Sequence, residues 1–309
     1  MIRIALVTCA DLPDLHSDDA PLLRALADRG AEGVAAVWDD PDVDWAGFDL
    51  VVIRSTWDYA QRRAEFLDWC TRVDAVTTLA NSRRTVRWNS DKHYLRELEE
   101  VGVAVVPTTW LEAERHFTSR ALHTRFPAQG DFVIKPAVSA GSIDTGRYTA
   151  IDANSRGLAI KHAQRLLVDG RSVMVQRYQS SVDTVGERAH VFIAEKYSHS
   201  VLKGAMLDGP DVGVDGVYRE ERMSPLTATD AEIEFAAGTI AAARRLLTRN
   251  VDGVEVQPDL LLYARVDVVT DDDGAPELME LELVEPSLFT SLADGALERF
   301  ADAIVARAR

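Results

Sequence analysis

Cys9 and Cys70 are the only cysteines in 309 residues. Two are too few for a disulfide framework, and they lack the paired spacing of a zinc site. A reducing compartment, the cytoplasm, is the expected setting. Positive charge is scarce as well: 34 Lys and Arg against 50 Asp and Glu leave a formal charge of −16. That argues against a nucleic-acid partner, because phosphate contacts need clustered cations. An anionic ligand would need a local basic patch or a metal. Long apolar runs are missing: no window approaches the roughly 18 uninterrupted apolar residues of a membrane span, and the run in "MIRIALVTCADLPDL" is too short for a signal peptide. Also absent are G-x-G-x-x-G after the first strand, G-x-x-x-x-G-K-[ST], H-E-x-x-H and G-x-S-x-G. The dinucleotide, P-loop, zincin and α/β-hydrolase fingerprints are thereby excluded.

What remains is an ordinary globular composition, 47% hydrophobic and 27% charged, with no low-complexity tract or internal repeat. The first part alternates strand and helix. "IRIALVT", "VAAVWD" and "FDLVVIRST" read as strands; "DDAPLLRALADRG", with Pro21 in its first turn and Gly30 at its end, reads as a helix. "WDYAQRRAEFLDWCTRVDAV" carries a helical stripe through Phe66, Leu67, Trp69, Cys70 and Val73. This is an α/β pattern with a parallel sheet, whose ligands bind at the carboxyl ends of strands. The loops "CADLPDLHSDD" and "RSTWDY" are therefore candidate substrate contacts, with Asp11, Ser55, Thr56, Trp57 and Asp58 the residues of interest. Ordinary capping and core packing explain the same residues about as well.

From about Thr85 the pattern changes. "NSDKHYLRELEEVGVAVVPTTW" predicts a helix capped by Asn89 or Ser90, with Lys92 in its first turn, then a short strand ended by Pro107. "RAHVFIAEKYSHSVLKG" and "LLLYARVDVVTDDDGAPELMELELVEPS" predict hairpins; "SRGLAIKHAQRLLVDG", "DAEIEFAAGTIAAARRLL" and "DGALERFADAIVARAR" predict helices.

In "ELMELELVEPSLF", alternation puts Glu280 and Glu282 on one face of a strand, about 7 Å apart. On the preceding strand Arg265 and Asp267 share a face by the same rule. An antiparallel pairing would set Asp267 beside Glu280 and Arg265 beside Glu282. Three clustered carboxylates repel one another and lose hydration unless a cation compensates. Hard divalent ions such as Mg²⁺ suit such oxygen donors; a solvated outer face of an edge hairpin is the plainer alternative. Glu285, on the opposite strand face and followed by Pro286, falls outside this group. Lys135 ends the apolar strand "FVIKP" before a loop of small residues running to Gly146, whose backbone N–H groups could approach phosphate oxygens. Lys92 and Lys203, the latter at the end of "YSHSVLKG", add two further cations.

The order of these features resembles the ATP-grasp superfamily, nearest to bacterial glutathione synthetase and its relatives. The likeness in motifs runs from about Thr85 to the C-terminus. It implies an N-terminal α/β domain over residues 1–85, an N-lobe with a phosphate-binding lid over 86–178, and a C-lobe carrying the metal site over 179–309. It further implies ATP and Mg²⁺: Lys92 and Lys135 on the ATP phosphates, with Ser139, Gly141 and Ser142 in the lid over them; Gln176, Arg177 and Tyr178 as the adenine hinge; and Asp183 or Glu187 on the ribose. Arg188, Lys203 and Arg265 are implied near the γ-phosphate and substrate carboxylate, and Asp267, Glu280 and Glu282 as Mg²⁺ ligands. The chain departs from many relatives in having Glu280-Leu281-Glu282 where they have Glu-x-Asn, and in the acidic "DGPDVGVDGVYREERMSP" where glutathione synthetase has a glycine-rich substrate loop. The implied activity is carboxylate–amine ligation through an acyl phosphate, on a small amino-acid-like substrate. Similarity to the D-cycloserine synthetases, small members of comparable length, adds ring closure by the substrate's own nitrogen, and so antibiotic biosynthesis. An ATP-binding regulatory module and a hydroxyl-directed phosphotransferase stay open as alternatives, and a homodimer is compatible with the sequence.

Overall fold

A computed structural model describes residues 1–207, 209–211, 222–248 and 260–309. Among these residues the strands form three sheets. The first is parallel, in the order β2-β1-β3-β4, from β1 (Ile2–Thr8), β2 (Ala31–Val37), β3 (Leu50–Ser55) and β4 (Leu79–Ala80). Its strands are apolar on both faces, as a sheet covered twice requires. Ile4, Leu6, Leu50 and Val52 meet α1 (Pro21–Ala27), while Ala5, Val7, Val51 and Ile53 meet Phe66, Trp69 and Val73 of α2 (Arg63–Asp74).

The link to the second sheet holds α3 (Arg83–Asn89), capped by Ser82, and α4 (Tyr94–Glu100). The helix expected after Asn89 or Ser90 is α4, which begins only at Tyr94, and α3 precedes it. Asn89 ends α3 instead of capping the next helix, and Lys92 lies in the turn between them, where its backbone N–H donates to Ala137 O at 2.8 Å. The segment before Pro107 makes only an isolated bridge, Val105 to Leu278, and the strand begins after the proline.

The second sheet is antiparallel, β5-β8-β6-β7, from β5 (Thr108–Leu111), β6 (Asp131–Pro136), β7 (Gly146–Thr149) and β8 (Val173–Arg177). Leu122 of α5 (Ser119–Arg125) and Ala159, Ala163 and Leu166 of α6 (Ala153–Val168) close its core. After the short α7 (Ser181–Thr184), the third sheet runs β11-β10-β9-β12-β13, antiparallel, from β9 (Glu187–Ile193), β10 (Lys196–Lys203), β11 (Met223–Leu226), β12 (Tyr263–Thr270) and β13 (Pro276–Glu282). Its apolar face packs on α4 and on α8 (Asp230–Leu247), which opens with a Thr229–Glu232 capping box. The last helix, α9 (Ala296–Arg307), returns to the first sheet: Phe300, Ala301 and Ile304 join Ile4, Leu6 and Leu26 in one core. Of the acidic segment 208–225, only 209–211 and 222–225 fall within the described residues.

Candidate active site

The β12–β13 pairing has the register that alternation demands, with Arg265 opposite Glu282 and Asp267 opposite Glu280. Arg265 grips Asp267 with two hydrogen bonds, Nε to Oδ1 and Nη2 to Oδ2, both 2.8 Å, and also pairs with Glu282. Lys203 Nζ reaches Asp267 Oδ2 at 3.1 Å and Glu187 Oε1 at 2.6 Å. Lys92 Nζ lies 3.0 Å from Glu280 Oε1 and donates to Ser139 O at 2.9 Å. Lys135 Nζ contacts Met279 Sδ at 3.9 Å, a weak acceptor.

The titrations follow from these contacts. Burial opposes the charge of Asp267, but Arg265 and then Lys203 outweigh it and hold the carboxyl far below the usual range. Burial likewise opposes Glu280, and Lys92 with Lys135 bring it below its ordinary value. Glu282 is pushed up to about 8 by burial and by Glu280 and Asp267, against Arg265. Burial and the neighbouring Lys92 and Lys203 lower the ammonium of Lys135, against the attraction of Glu280. An ammonium so buried keeps its charge more readily when an anion lies beside it.

The cluster floors a cavity of about 640 Å³, within the size range of small-molecule sites. Lys92, Lys135, Ser139, Gly141, Ser142, Gln176, Arg177, Tyr178, Glu187, Lys203, Arg265, Glu280 and Glu282 all line it. In the loop after β6, Gly141, Ser142 and Asp144 take left-handed backbone angles. Asp144 is tied down by Arg165 and Arg171, which anchors the far end of that loop to α6 and its neighbour. Gln176 Nε2 donates to Thr108 Oγ1 at 2.8 Å, fixing the end of β8.

Several expected residues lie elsewhere. Arg188 follows Glu187 on β9, so alternation turns it to the other face, where it pairs with Glu232 of α8 at 3.0 Å. Asp183 is occupied by Tyr178 Oη at 2.6 Å and by Arg147 at 3.1 Å, outside the lining. Asp267, 1% exposed, lies behind Arg265 and Lys203 and does not line the cavity. Of the strand-end candidates only Trp57 lines it. Ser55 is buried and donates to Asp19 Oδ2 at 2.9 Å, Thr56 is buried, Asp58 accepts from Trp38 Nε1 at 3.0 Å, and Asp11 is exposed. The other expected loop does contribute, through His16, Ser17 and Asp18. Tyr59, Asn89 and Glu285, none of them expected at the site, also line the wall. Asn89 Nδ2 donates to Leu281 O at 2.8 Å and its Oδ1 accepts from Leu283 N, locking the backbone that carries Glu280 and Glu282. Glu285 enters because β13 ends at Glu282; beyond it the strand period no longer sets direction.

Comparison with known proteins places this geometry. A family description for the N-terminal domain of the D-cycloserine synthetase DcsG matches residues 4–81. The cycloserine biosynthesis protein DcsG of Streptomyces lavendulae is 38% identical over 312 aligned positions, covering 98% of both chains. The chain belongs to the D-cycloserine synthetase family of ATP-grasp proteins. A crystal structure of D-cycloserine synthetase DcsG superposes with a TM-score of 0.84 at 35% identity, covering 99% of this chain and all of that one. The ATP-grasp ligase PsnB, solved with a minimal precursor, Mg and ADP, has a TM-score of 0.60 at 18% identity, covering 99% and 97%, and shares the fold. The protein is thus an ATP-dependent ligase. Among the described residues no helix is long and apolar enough to cross a membrane.

Glu282 and Glu285 give this D-cycloserine synthetase homologue an unusual pH response. Burial pushes Glu285 up to about 7, with Glu280 adding to it, against Lys92 and a hydrogen bond from Tyr59. In the unfolded chain both carboxyls ionise near 4.5. Between that value and about 7 to 8 the folded state holds the extra protons, so their stabilising effect is lost as pH rises. Nucleotide-free protein should therefore lose stability on the order of a few kcal/mol from pH ~5 to ~8, followed by urea denaturation. Glu282→Gln should flatten the slope; an unchanged slope would contradict the assignment.

Proposed function

We propose that the chain activates the carboxylate of a small amino-acid-like substrate as an acyl phosphate, and that a nitrogen of the same molecule then displaces phosphate to close a ring, as in cycloserine biosynthesis. The observation that carries this is one cavity in which three lysines and Arg265 converge with Glu280 and Glu282, beside the strand ends of a parallel sheet. Phosphoryl transfer asks for positioning and charge neutralisation more than for acid–base groups. Lys92 and Lys135 would hold the ATP phosphates under the loop of Ser139, Gly141 and Ser142. Lys203 and Arg265 would absorb charge as it develops on the transferring group. Gln176, Arg177 and Tyr178 would hold adenine, and Glu187 the ribose. We further read 1–85, 86–178 and 179–309 as the units that build this site.

Among the described residues no three His, Cys, Asp or Glu side chains form a ready metal cage; Asp267, Glu280 and Glu282 each already pair with a cation. The oxygen donors still fit Mg²⁺, which takes one or two carboxylates and completes its shell with substrate phosphates. Glu280 and Glu282 would hold it, with Asp267 orienting Glu282 through Arg265. When bound, the ion would neutralise phosphate charge. A bound nucleotide would free Lys92 from Glu280 by offering it a stronger anion.

The test is product analysis with ATP, Mg²⁺ and O-ureido-D-serine or other small amino acids. Equimolar ADP and free phosphate with a cyclised product are expected. A phosphorylated product would point to a phosphotransferase, and no nucleotide turnover with any of them would sink the proposal.

A further inference from the structure

The segment after β13 has no regular secondary structure, yet its backbone is held at every step. Tyr263 Oη donates to Val284 O at 2.8 Å, Trp57 Nε1 to Glu285 O at 3.2 Å, Arg54 Nη2 to Pro286 O at 2.7 Å and Arg265 Nη1 to Ser287 O at 3.0 Å. Arg54 is in turn fixed by Asp19 Oδ1 at 2.8 Å in a fully buried pair. Side chains from three other elements thus replace the missing sheet partners of this backbone, and Glu285 cannot swing away with its main chain.

The Glu285 side chain lines the cavity and is 8% exposed. The charged and titratable groups facing it are Lys92 from the α3–α4 turn, Tyr59 from the turn after β3, Glu280 from β13 and Arg265 from β12. Tyr59 is its hydrogen-bond partner. Lys92 is engaged by Glu280 and Ser139, and Arg265 by Asp267, Glu282 and the Ser287 carbonyl. Among the described residues no lysine or arginine forms an ion pair with Glu285. A rigid, buried carboxyl that faces a cavity without an ion pair of its own keeps a proton in the free protein, and the charged form is favoured once a ligand brings a cation beside it. The adjoining wall, His16, Ser17, Asp18 and Trp57, comes from the carboxyl ends of the first sheet, the usual place for substrate in such sheets.

We propose that Glu285, positioned by Tyr59 and by its clamped backbone, binds the ammonium group of an amino-acid substrate. This rests on the ligase reading above and adds to it the feature of the substrate that is recognised. The ammonium is neither formed nor consumed in phosphoryl transfer or ring closure, so the contribution of Glu285 falls on binding.

The probes are O-ureido-D-serine and its analogue lacking the α-amino group, titrated calorimetrically against the protein in a non-hydrolysable ATP analogue and Mg²⁺. The native protein should bind the amino compound roughly tenfold to a hundredfold more tightly, the fold-change of one hydrogen bond to a charged group. Glu285→Gln should bind both compounds alike, at the affinity of the des-amino analogue, while its affinity for the ATP analogue is retained. In turnover the variant should raise KM for the amino compound with a smaller change in kcat. A preference that survives the substitution, or a loss confined to kcat, overturns the proposal; the latter would make Glu285 a proton acceptor. Should the variant fail to fold, equal affinity of the native protein for the two probes overturns it as well. If discrimination is seen but native protein releases no ADP from ATP, the ligase reading fails and the ammonium site stands.

Discussion

Glu280→Gln should lower Mg²⁺-dependent turnover by about 10²- to 10³-fold, the range for removing one electrostatic contact from a preorganised site, with the fold retained. The side chain keeps its shape and loses its charge. Its backbone would stay in place, because Asn89 holds Leu281 and Leu283 on either side of the neighbouring Glu282. Two effects combine. A hard cation loses one of the carboxylates on the cavity wall, and Lys92, which sits 3.0 Å from Glu280 Oε1, loses the anion that draws it into the site. Steady-state assays across Mg²⁺ concentrations would show a lower maximal rate and a right-shifted metal dependence. Activity within tenfold of the native protein, with the same metal dependence, would remove Glu280 from the proposed metal shell.

Arg265→Leu should destabilise the protein by about 3–5 kcal/mol, the usual result of removing one partner from a buried ion pair. The guanidinium serves Asp267, Glu282 and the Ser287 carbonyl at once, and its face lies over the Phe289 ring at 5.3 Å. Without it, Asp267 keeps Lys203 but loses two hydrogen bonds at 1% exposure. The second substitution Asp267→Asn in the same chain should recover part of the loss, because the uncompensated charge is then gone. Urea denaturation measures both. A single-variant loss below about 1 kcal/mol, the scale of an exposed pair, would mean that the cluster is far better hydrated than its burial implies.

The hairpin at the heart of this site was legible because period-2 alternation is rigid: once β12 and β13 pair, Arg265, Asp267, Glu280 and Glu282 have no other side to occupy. The same rule places Arg188 on the α8 side, and it was read from family likeness without asking which face it shares with Glu187. Glu285 was missed for the converse reason, since the alternation was carried past the last strand residue. Both strand-end loops reach the cavity, but of the residues singled out in them only Trp57 lines it. Ser55, Thr56 and Asp58 are consumed by packing and by partners such as Asp19 and Trp38, which lie far off in the sequence and leave no local signature. The start of the helix before Gly102 was placed too early, because Lys92 lies in a turn held by tertiary contact to Ala137, which leaves no local signature.

The return of α9 to the first sheet bears on how the molecule can be made. Phe300 and Ile304 fill the same core as Ile4 and Leu6, so contacts within that core span nearly the whole chain. Such long loop closures slow folding. On the ribosome the leading α/β segment would emerge with one sheet face covered only in part, by α1, and would wait for synthesis of α9 while the two later sheets take shape.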